Sequence, residues 1–310
     1  MNRNNPEIAV LLATYNGGRY IMEQLNSIHE QTYSNLKVYI HDDGSNDDTM
    51  KQIRAYSDKY PDKVIIIDGA STGGACSNFL YLFRRVEAKY YMCCDQDDVW
   101  LPNKVEMTFN AMRSIERNTK IPCLVHTDLR VVDANLNTIA KSMDRFQKLC
   151  SKDGSLQHVI AQNTVTGCTM MINKALRDYL MKPIDEKKMI MHDWWLAIAA
   201  AQFGRIKYID KATIMYRQHG NNSVGAKKMG FSVLLKKLSP AERKQICESL
   251  LATQKQAREF ARIYGLDREN IINRYGHMEK MGKLSRIKLY IDTGIHKGSK
   301  FRTLGLYLWG

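Results

Sequence analysis

Residues 93–100 read CCDQDDVW, so Asp95, Asp97 and Asp98 fall within four positions. They follow the apolar stretch AKYYMC and precede a tryptophan, which places the carboxylates where a strand leaves a core. Like charges at this spacing repel, and desolvation adds to the cost. Something positive should sit among them, or the site should be very wet. Asp95 and Asp97, two residues apart, can reach one hard divalent cation. Mg2+ and Mn2+ favour oxygen ligands, and substrate phosphate or sugar oxygens can complete the shell. An Asp-rich turn capping the helix that begins around LPNKVEMTF would need only one of these acids.

Further polar clusters carry candidate residues. TYNGG (14–18) offers turn glycines and a tyrosine, Tyr15, that can lie flat against a nucleobase. DDGS (42–45) is a turn by composition, or a carboxylate, Asp43, that contacts a base or ribose. Neither matches a GxGxxG or Walker loop. HDWWLA (192–197) sets Asp193 in the first turn of an apolar helix, where an N-cap or dipole-favoured acid is the plain alternative to a chemical role. Trp194 and Trp195 are adjacent, so only one can face the core; the other can offer a flat surface to a sugar or lipid. YRQHGNNS (216–223) puts Arg217 and His219 on a glycine-containing turn, a pair that suits a diphosphate or a metal.

These residues need elements to position them. The apolar runs IAVLLAT, LKVYIHDD, KVIIID and KYYMCCD alternate with helical patterns, which predicts βαβ crossovers and a mainly parallel sheet. Ligands of such sheets bind beyond the carboxyl ends of the strands, and TYNGG, DDGSNDD, DGASTGG and DQDD all fall there. HDWWLAIAAAQFG reads as a helix ending near Gly204, and KYIDKATIMYR as strand. Ile246, Leu250, Ala257, Phe260, Ala261 and Tyr264 keep near-helical spacing on one stripe.

Composition bounds the rest. The chain has 310 residues, 44% hydrophobic and 25% charged, as in a folded globular protein. Seven cysteines without CxxC spacing argue against a disulfide framework or zinc finger, and Cys93 and Cys94 read as reduced packing residues. The opening apolar run IAVLLA is too short to span a membrane and lacks a signal-peptide cleavage site, so a cytoplasmic location is expected. Of the net charge of +14, residues 227–310 carry +11, with 18 Lys and Arg against 7 Asp and Glu. A basic block can serve nucleic acid, an anionic membrane or acidic ligands. The tail has no aromatic-basic nucleic-acid pattern, so nucleic acid is not the expected partner.

Together, ATYNGGRYIMEQLNSIHEQTYSNLKVYIHDDGSNDDT, CDQDDVW, GCTMMIN, HDWW and YRQHGNNSVG resemble the GT-A glycosyltransferases of family 2. The resemblance runs from about Ile8 to about Gly225, and within the family it is closest to bacterial rhamnosyltransferase-like members that build surface polysaccharides. It implies a Rossmann-like GT-A domain over 1–226, with a nucleotide-binding half to about 98 and an acceptor-binding half from about 99. A basic helical extension follows over 227–310. It implies that Ala13, Thr14, Tyr15, Asp43, Asn78 and Asp95 meet the nucleotide, and that Asp95 and Asp97 hold Mn2+ or Mg2+, with His219 as a further metal or diphosphate contact. Asp98, Trp194, Trp195 and Arg217 are candidate sugar or diphosphate contacts, and Asp193 matches the general base of inverting members.

The implied donor is a dTDP- or UDP-sugar, with rhamnose as the sugar suggested. The implied acceptor is a growing surface polysaccharide or lipid-linked glycan. The tail patterns FSVLLKKL and IKLYIDTGIHKGSKFRTLGLYLWG suit an anionic inner membrane face, or packing within the fold or in a homodimer. A nucleotidyltransferase-type nucleotide-sugar enzyme is the alternative, since it too would use a metal-carboxylate site at strand ends. A non-enzymatic nucleic-acid-binding protein is a distant one.

Overall fold

IAVLLAT forms strand β1 (Ile8–Thr14), buried at all but one position. A run without polar alternation belongs mid-sheet, covered on both faces. In the computed structural model, which describes residues 5–218 and 240–309, β1 pairs in parallel with β2 (Leu36–Asp42), and β2 with β3 (Val64–Ile66). On its other side β1 pairs in parallel with β4 (Tyr90–Asp95). Helices α1 (Ile21–His29), α2 (Thr49–Lys59) and α3 (Ala75–Arg85) make the crossovers.

The chain then forms β5 (Val99–Trp100), α4 (Lys104–Ile115), β6 (Cys123–Val132) and β7 (Thr138–Ala140). Short helices α5 (Met143–Gln147) and α6 (Leu156–Val159) lead to β8 (Met171–Asn173) and α7 (Lys174–Arg177). Helix α8 (His192–Phe203) and β9 (Arg205–Arg217) complete the described front of the chain. Strand order is β3-β2-β1-β4-β8-β6-β9-β5, with β7 on β6. The architecture is the expected α/β sheet with flanking helices. Parallel order is confined mostly to its first half, because β8 enters antiparallel to both β4 and β6, while β6 and β9 run parallel.

Alternate residues of β1 feed two cores. Ile8, Val10 and Leu12 join Leu25, Ile53 and Phe109 on one face; Ala9 and Leu11 join Phe83, Trp195 and Ile198 on the other. That second core also takes the tail, which folds as α9 (Pro240–Tyr264), α10 (Ile271–Gly276), α11 (Lys283–Thr293) and α12 (Lys300–Trp309). Leu250, Ala257, Phe260 and Ala261 are buried and Ile246 and Tyr264 pack beside them, as their spacing predicts. Tyr275, Tyr290 and Leu306 belong to the same core, so these helices are integral to the fold. The 226/227 boundary, His219 and FSVLLKKL lie outside the described residues.

Of the paired tryptophans, Trp195 faces the core. It is fully buried, its ring lies 5.0 Å from Phe260, and its Nε1 donates to Tyr264 Oη at 3.0 Å. It therefore offers no surface to a sugar. Cys93 and Cys94 are buried free thiols, and no described cysteine is bridged. Trp195→Ala should cost about 3–5 kcal/mol of stability through the cavity it leaves. Denaturant unfolding checks this; a loss below about 1 kcal/mol would mean that α8 and α9 do not depend on this contact.

Candidate active site

The carboxyl ends of β1, β2 and β4 meet as a network of short polar contacts. Thr14 Oγ1 donates to Asp42 Oδ1 at 2.8 Å, and Asp42 also accepts from the Gly44 and Ser45 amides, which fixes the DDGS turn. Asp43 turns the other way. Its carboxylate accepts from the hydroxyls of Ser71 and Thr72 and from the amides of Thr72, Gly73 and Gly74. Burial pushes this carboxyl up, but the bonds from Thr72, Ser71 and Gly73 outweigh it and leave its pKa lowered. Asp43 thus organises the loop that follows β3.

Asn78, nearly buried on α3, donates to the His41 carbonyl at 3.2 Å and meets the His41 ring at 2.9 Å. It braces the strand ends from beneath. Ala13 is half-buried beside them, while Tyr15 is 56% exposed and free to lie against a planar ligand. Gln96 fixes the Tyr15 peptide: its amide accepts from Tyr15 N and donates to Tyr15 O, both at 2.8 Å. A Cβ at Gly17 would stand 2.2 Å from Gln96 Oε1, so only glycine admits this clasp.

Asp95, Asp97 and Asp98 do not behave alike. Asp98 is fully buried and accepts from the Arg217 amide at 3.1 Å. One oxygen each of Asp95 and Asp98 lies with the Cys168 thiol in a group spanning no more than 4.8 Å. Burial, then Asp97 and Asp193, push the Asp95 carboxyl up; burial, then Asp97 and Asp95, push Asp98 well up. Cys168 is itself held as a thiol by burial, then by Asp98 and Asp95. Asp95 and Asp97 remain half-buried at the edge of the turn.

Arg217 is not presented to a diphosphate. Its guanidinium is buried, where Nε donates to the Asp97 carbonyl at 2.8 Å and Nη1 to the Ala134 carbonyl at 2.5 Å, while Nη2 pairs with Glu23. The same group lies 4.3 Å over the Tyr20 ring. It holds the acidic turn in place. A second buried cation, Lys104, was not evident from the sequence. Its Nζ lies 4.4 Å from the Trp100 ring centroid and has no hydrogen-bond partner among the described residues; burial lowers its pKa to about 8. At neutral pH it is still mostly an ammonium, and it supplies positive charge behind Asp98.

Asp193 sits in the first turn of α8, where the helix dipole favours an acid. Oδ1 accepts from Asn163 Nδ2 at 3.1 Å and from the Trp194 amide at 2.5 Å, while Oδ2 accepts from the Gly167 amide at 2.9 Å. Burial nevertheless raises the carboxyl to about 6. Trp194 is half-buried, and its Nε1 is committed to the Val159 carbonyl at 2.7 Å. The site therefore joins a hydrogen-bonded edge at the ends of β1 and β2, a crowded acidic turn and a buried carboxylate with raised proton affinity.

The family model for glycosyl transferase family 2 matches residues 9–180. The chain belongs to that family. Among its relatives, a dTDP-rhamnosyl transferase of Shigella flexneri is 33% identical over 75% of this chain and 80% of its own. An uncharacterized glycosyltransferase of Nostoc sp. is 30% identical over 70% of this chain and 66% of its own. The fold is that of S. aureus TarS in complex with UDP-GlcNAc, with TM-score 0.53 and 18% identity over 92% of this chain and 79% of that one. It is also that of the mannosyltransferase PcManGT from Pyrobaculum calidifontis in complex with GDP-Man and Mn2+. There the TM-score is 0.56 with 15% identity, over 94% of this chain and 73% of that one. This family 2 chain is a GT-A glycosyltransferase.

Arg217→Lys should keep the charge yet lose the forked contacts to Asp97, Ala134 and Glu23. The expected cost is about 2–4 kcal/mol of stability together with weaker glycosyl transfer. Melting and activity measured on the same preparation check this, and wild-type values in both would show that Arg217 does not brace the turn.

Proposed function

We propose that the enzyme transfers rhamnose, with inversion, from a dTDP-sugar to a hydroxyl of a growing lipid-linked or surface glycan. The carrying observation is the Asp193 carboxylate. Its Oδ1 already takes two donors, whereas Oδ2 takes one and keeps a lone pair for an acceptor hydroxyl. A raised pKa makes it a stronger base than an exposed aspartate. The acceptor oxygen forms its bond to the anomeric carbon as the bond to the diphosphate oxygen breaks, and the hydroxyl proton passes to Asp193 Oδ2. The nucleoside diphosphate leaves. The Shigella relative supports dTDP-rhamnose as the donor.

The acidic turn fits a hard divalent cation. It offers hard carboxylate oxygens, among them that of Asp95, whose proton affinity burial and then the neighbouring Asp97 raise, while Cys168 stays protonated and soft. Asp95 and Asp97 would hold Mn2+ or Mg2+, with Asp98 behind them and His219 as a further contact. When bound, such an ion offsets the charge on the departing diphosphate. Tyr15 would stack on the base, with Ala13, Thr14, Asp43 and Asn78 shaping its pocket.

A panel of nucleotide sugars, each assayed by thermal shift with Mn2+ or Mg2+ and by product analysis, tests the reading. Stabilisation by dTDP-rhamnose, release of dTDP and an inverted linkage by NMR are expected; a retained linkage would overturn the mechanism. Turnover should rise with pH through a limb near 6 as Asp193 ionises, because only its carboxylate accepts the proton. Asp193→Asn should abolish turnover but keep donor binding. A variant that loses donor affinity at unchanged turnover would make Asp193 a binding residue.

The tail supplies the surface for the acceptor. Leu284, Lys288 and Ile291 share an exposed face of α11, and Phe301, Leu304 and Leu308 one face of α12 beside Lys300. No described helix is long and apolar enough to cross a membrane. This mixture fits the interface of an anionic leaflet, where each basic residue contributes about 1 kcal/mol. Because Tyr290 and Leu306 are core residues, the test is substitution at exposed positions. Leu284→Glu with Phe301→Glu should abolish salt-sensitive co-sedimentation with anionic liposomes while the melting temperature holds. Unchanged sedimentation would remove the membrane from this reading.

A further inference from the structure

Away from the acidic turn, one carboxylate oxygen of Asp153 and one ring nitrogen each of His158 and His296 lie within 4.8 Å of one another. Asp153 and His158 flank Ser155, the cap of α6, whereas His296 follows α11 in the tail. Gly294, left-handed at φ 70°, ends α11 and turns the chain towards α6. The His296 amide then donates to the Gln157 carbonyl at 3.3 Å. The backbone thus delivers His296 to this place independently of its ring.

The two rings and the carboxylate together can accommodate a cation. His296 Nδ1 lies 2.9 Å from the Gly294 carbonyl, which can only accept, so Nδ1 carries a proton. Nε2, 2.7 Å from Asp153 Oδ2, then needs a second proton or a metal between the two acceptors. A proton would satisfy that pair and leave His158 unsatisfied. His158 is fully buried and its ring stacks on His296 at 5.2 Å. The backbone of His296 and of Leu149 interacts weakly with it, but among the described residues neither ring nitrogen makes a hydrogen bond of full geometry. A buried polar group left unpaired costs about 1–3 kcal/mol. One cation that takes a lone pair from each imidazole and one from the carboxylate satisfies all three groups.

We propose that Asp153, His158 and His296 bind one zinc ion that fastens the tail to the catalytic region. Two imidazoles and a carboxylate are donors that zinc takes, with water in the fourth position. Bonds of about 2.0–2.1 Å place tetrahedral ligands about 3.3 Å apart, so the Asp153–His296 pair needs to part by less than about 1 Å. The outer contacts are in place: His296 Nδ1 on the Gly294 carbonyl, and the Ser155 amide on the other Asp153 oxygen at 3.0 Å. A cavity of about 440 Å³, walled in part by His296, Lys297 and Cys150, borders the cluster on the His296 side. The site shares no ligand with the acidic turn and does not depend on the donor or mechanism proposed above.

Full-length protein, stripped with a chelator and titrated with Co2+ in excess Mg2+, tests the site. Visible d–d bands saturating at one equivalent, displaced by Zn2+, are expected, together with a Zn2+-dependent rise in melting temperature. Both should vanish in His158→Gln and in His296→Gln and persist in Asp97→Asn, which alters only the acidic turn. Absence of the bands in the wild type, or their survival in both histidine variants, overturns the proposal. Should a histidine variant fail to fold by circular dichroism, anomalous diffraction at the zinc edge from wild-type crystals decides. A peak bounded by the three residues supports the site, and zinc-soaked crystals without one overturn it.

Discussion

Electrostatic repulsion in DQDD is the constraint around which this enzyme is arranged. Three carboxylates at the end of β4 hold a fixed shape only if the turn is pinned by something other than themselves. Arg217 does this from the far end of β9, reaching the Asp97 and Ala134 carbonyls and Glu23 on α1. One buried side chain thereby joins the two halves of the sheet at the point of greatest charge density. Lys104 adds a second buried positive charge, lying over the face of Trp100 and without a hydrogen-bond partner among the described residues. Both cations are buried, whereas Asp95 and Asp97 stay part-exposed at the end of β4.

The gathering of polar turns at the strand ends was legible because these residues obey a local rule. Strands that end in polar turns announce the ligand edge of an α/β sheet, and Asp95, Asp97, Asp43 and Tyr15 fell on that edge. The place of Asp193 in the first turn of an apolar helix was readable, and the same place suits a plain capping acid. Arg217 was misread because an arginine beside a histidine in a turn looks like a ligand contact. Its burial depends on β5 pairing with β9, more than a hundred residues apart in sequence, and no local pattern encodes that. Lys104 escaped notice for a related reason: it opens α4, and the first turn of a helix is normally exposed.

The tail shows the limit from the other side. The stripe on α9 was visible as a period, and its partners were not. Trp195 and Phe260 lie in segments far apart in sequence that meet in the shared core, and Asp153 meets His296 across 143 positions. Amphipathic periodicity says which face is covered but leaves open what covers it. Here the cover is the face of the sheet that also carries α8, so the basic helices are fixed relative to Asp193 through packing.

The Gln96 clasp has a further meaning. Because its amide grips both backbone polar atoms of Tyr15, the acidic turn and the TYNGG loop form one mechanical unit. Any ligand that orders one orders the other, and the ordering entropy is then spent once for two occupants. Thermodynamic reciprocity follows: a cation that tightens nucleotide binding by some factor is itself bound tighter by the same factor once nucleotide is present. A single glutamine between two aspartates would thus make donor and ion arrive as partners, and Gly17, with no room for a methyl group, keeps that coupling in place.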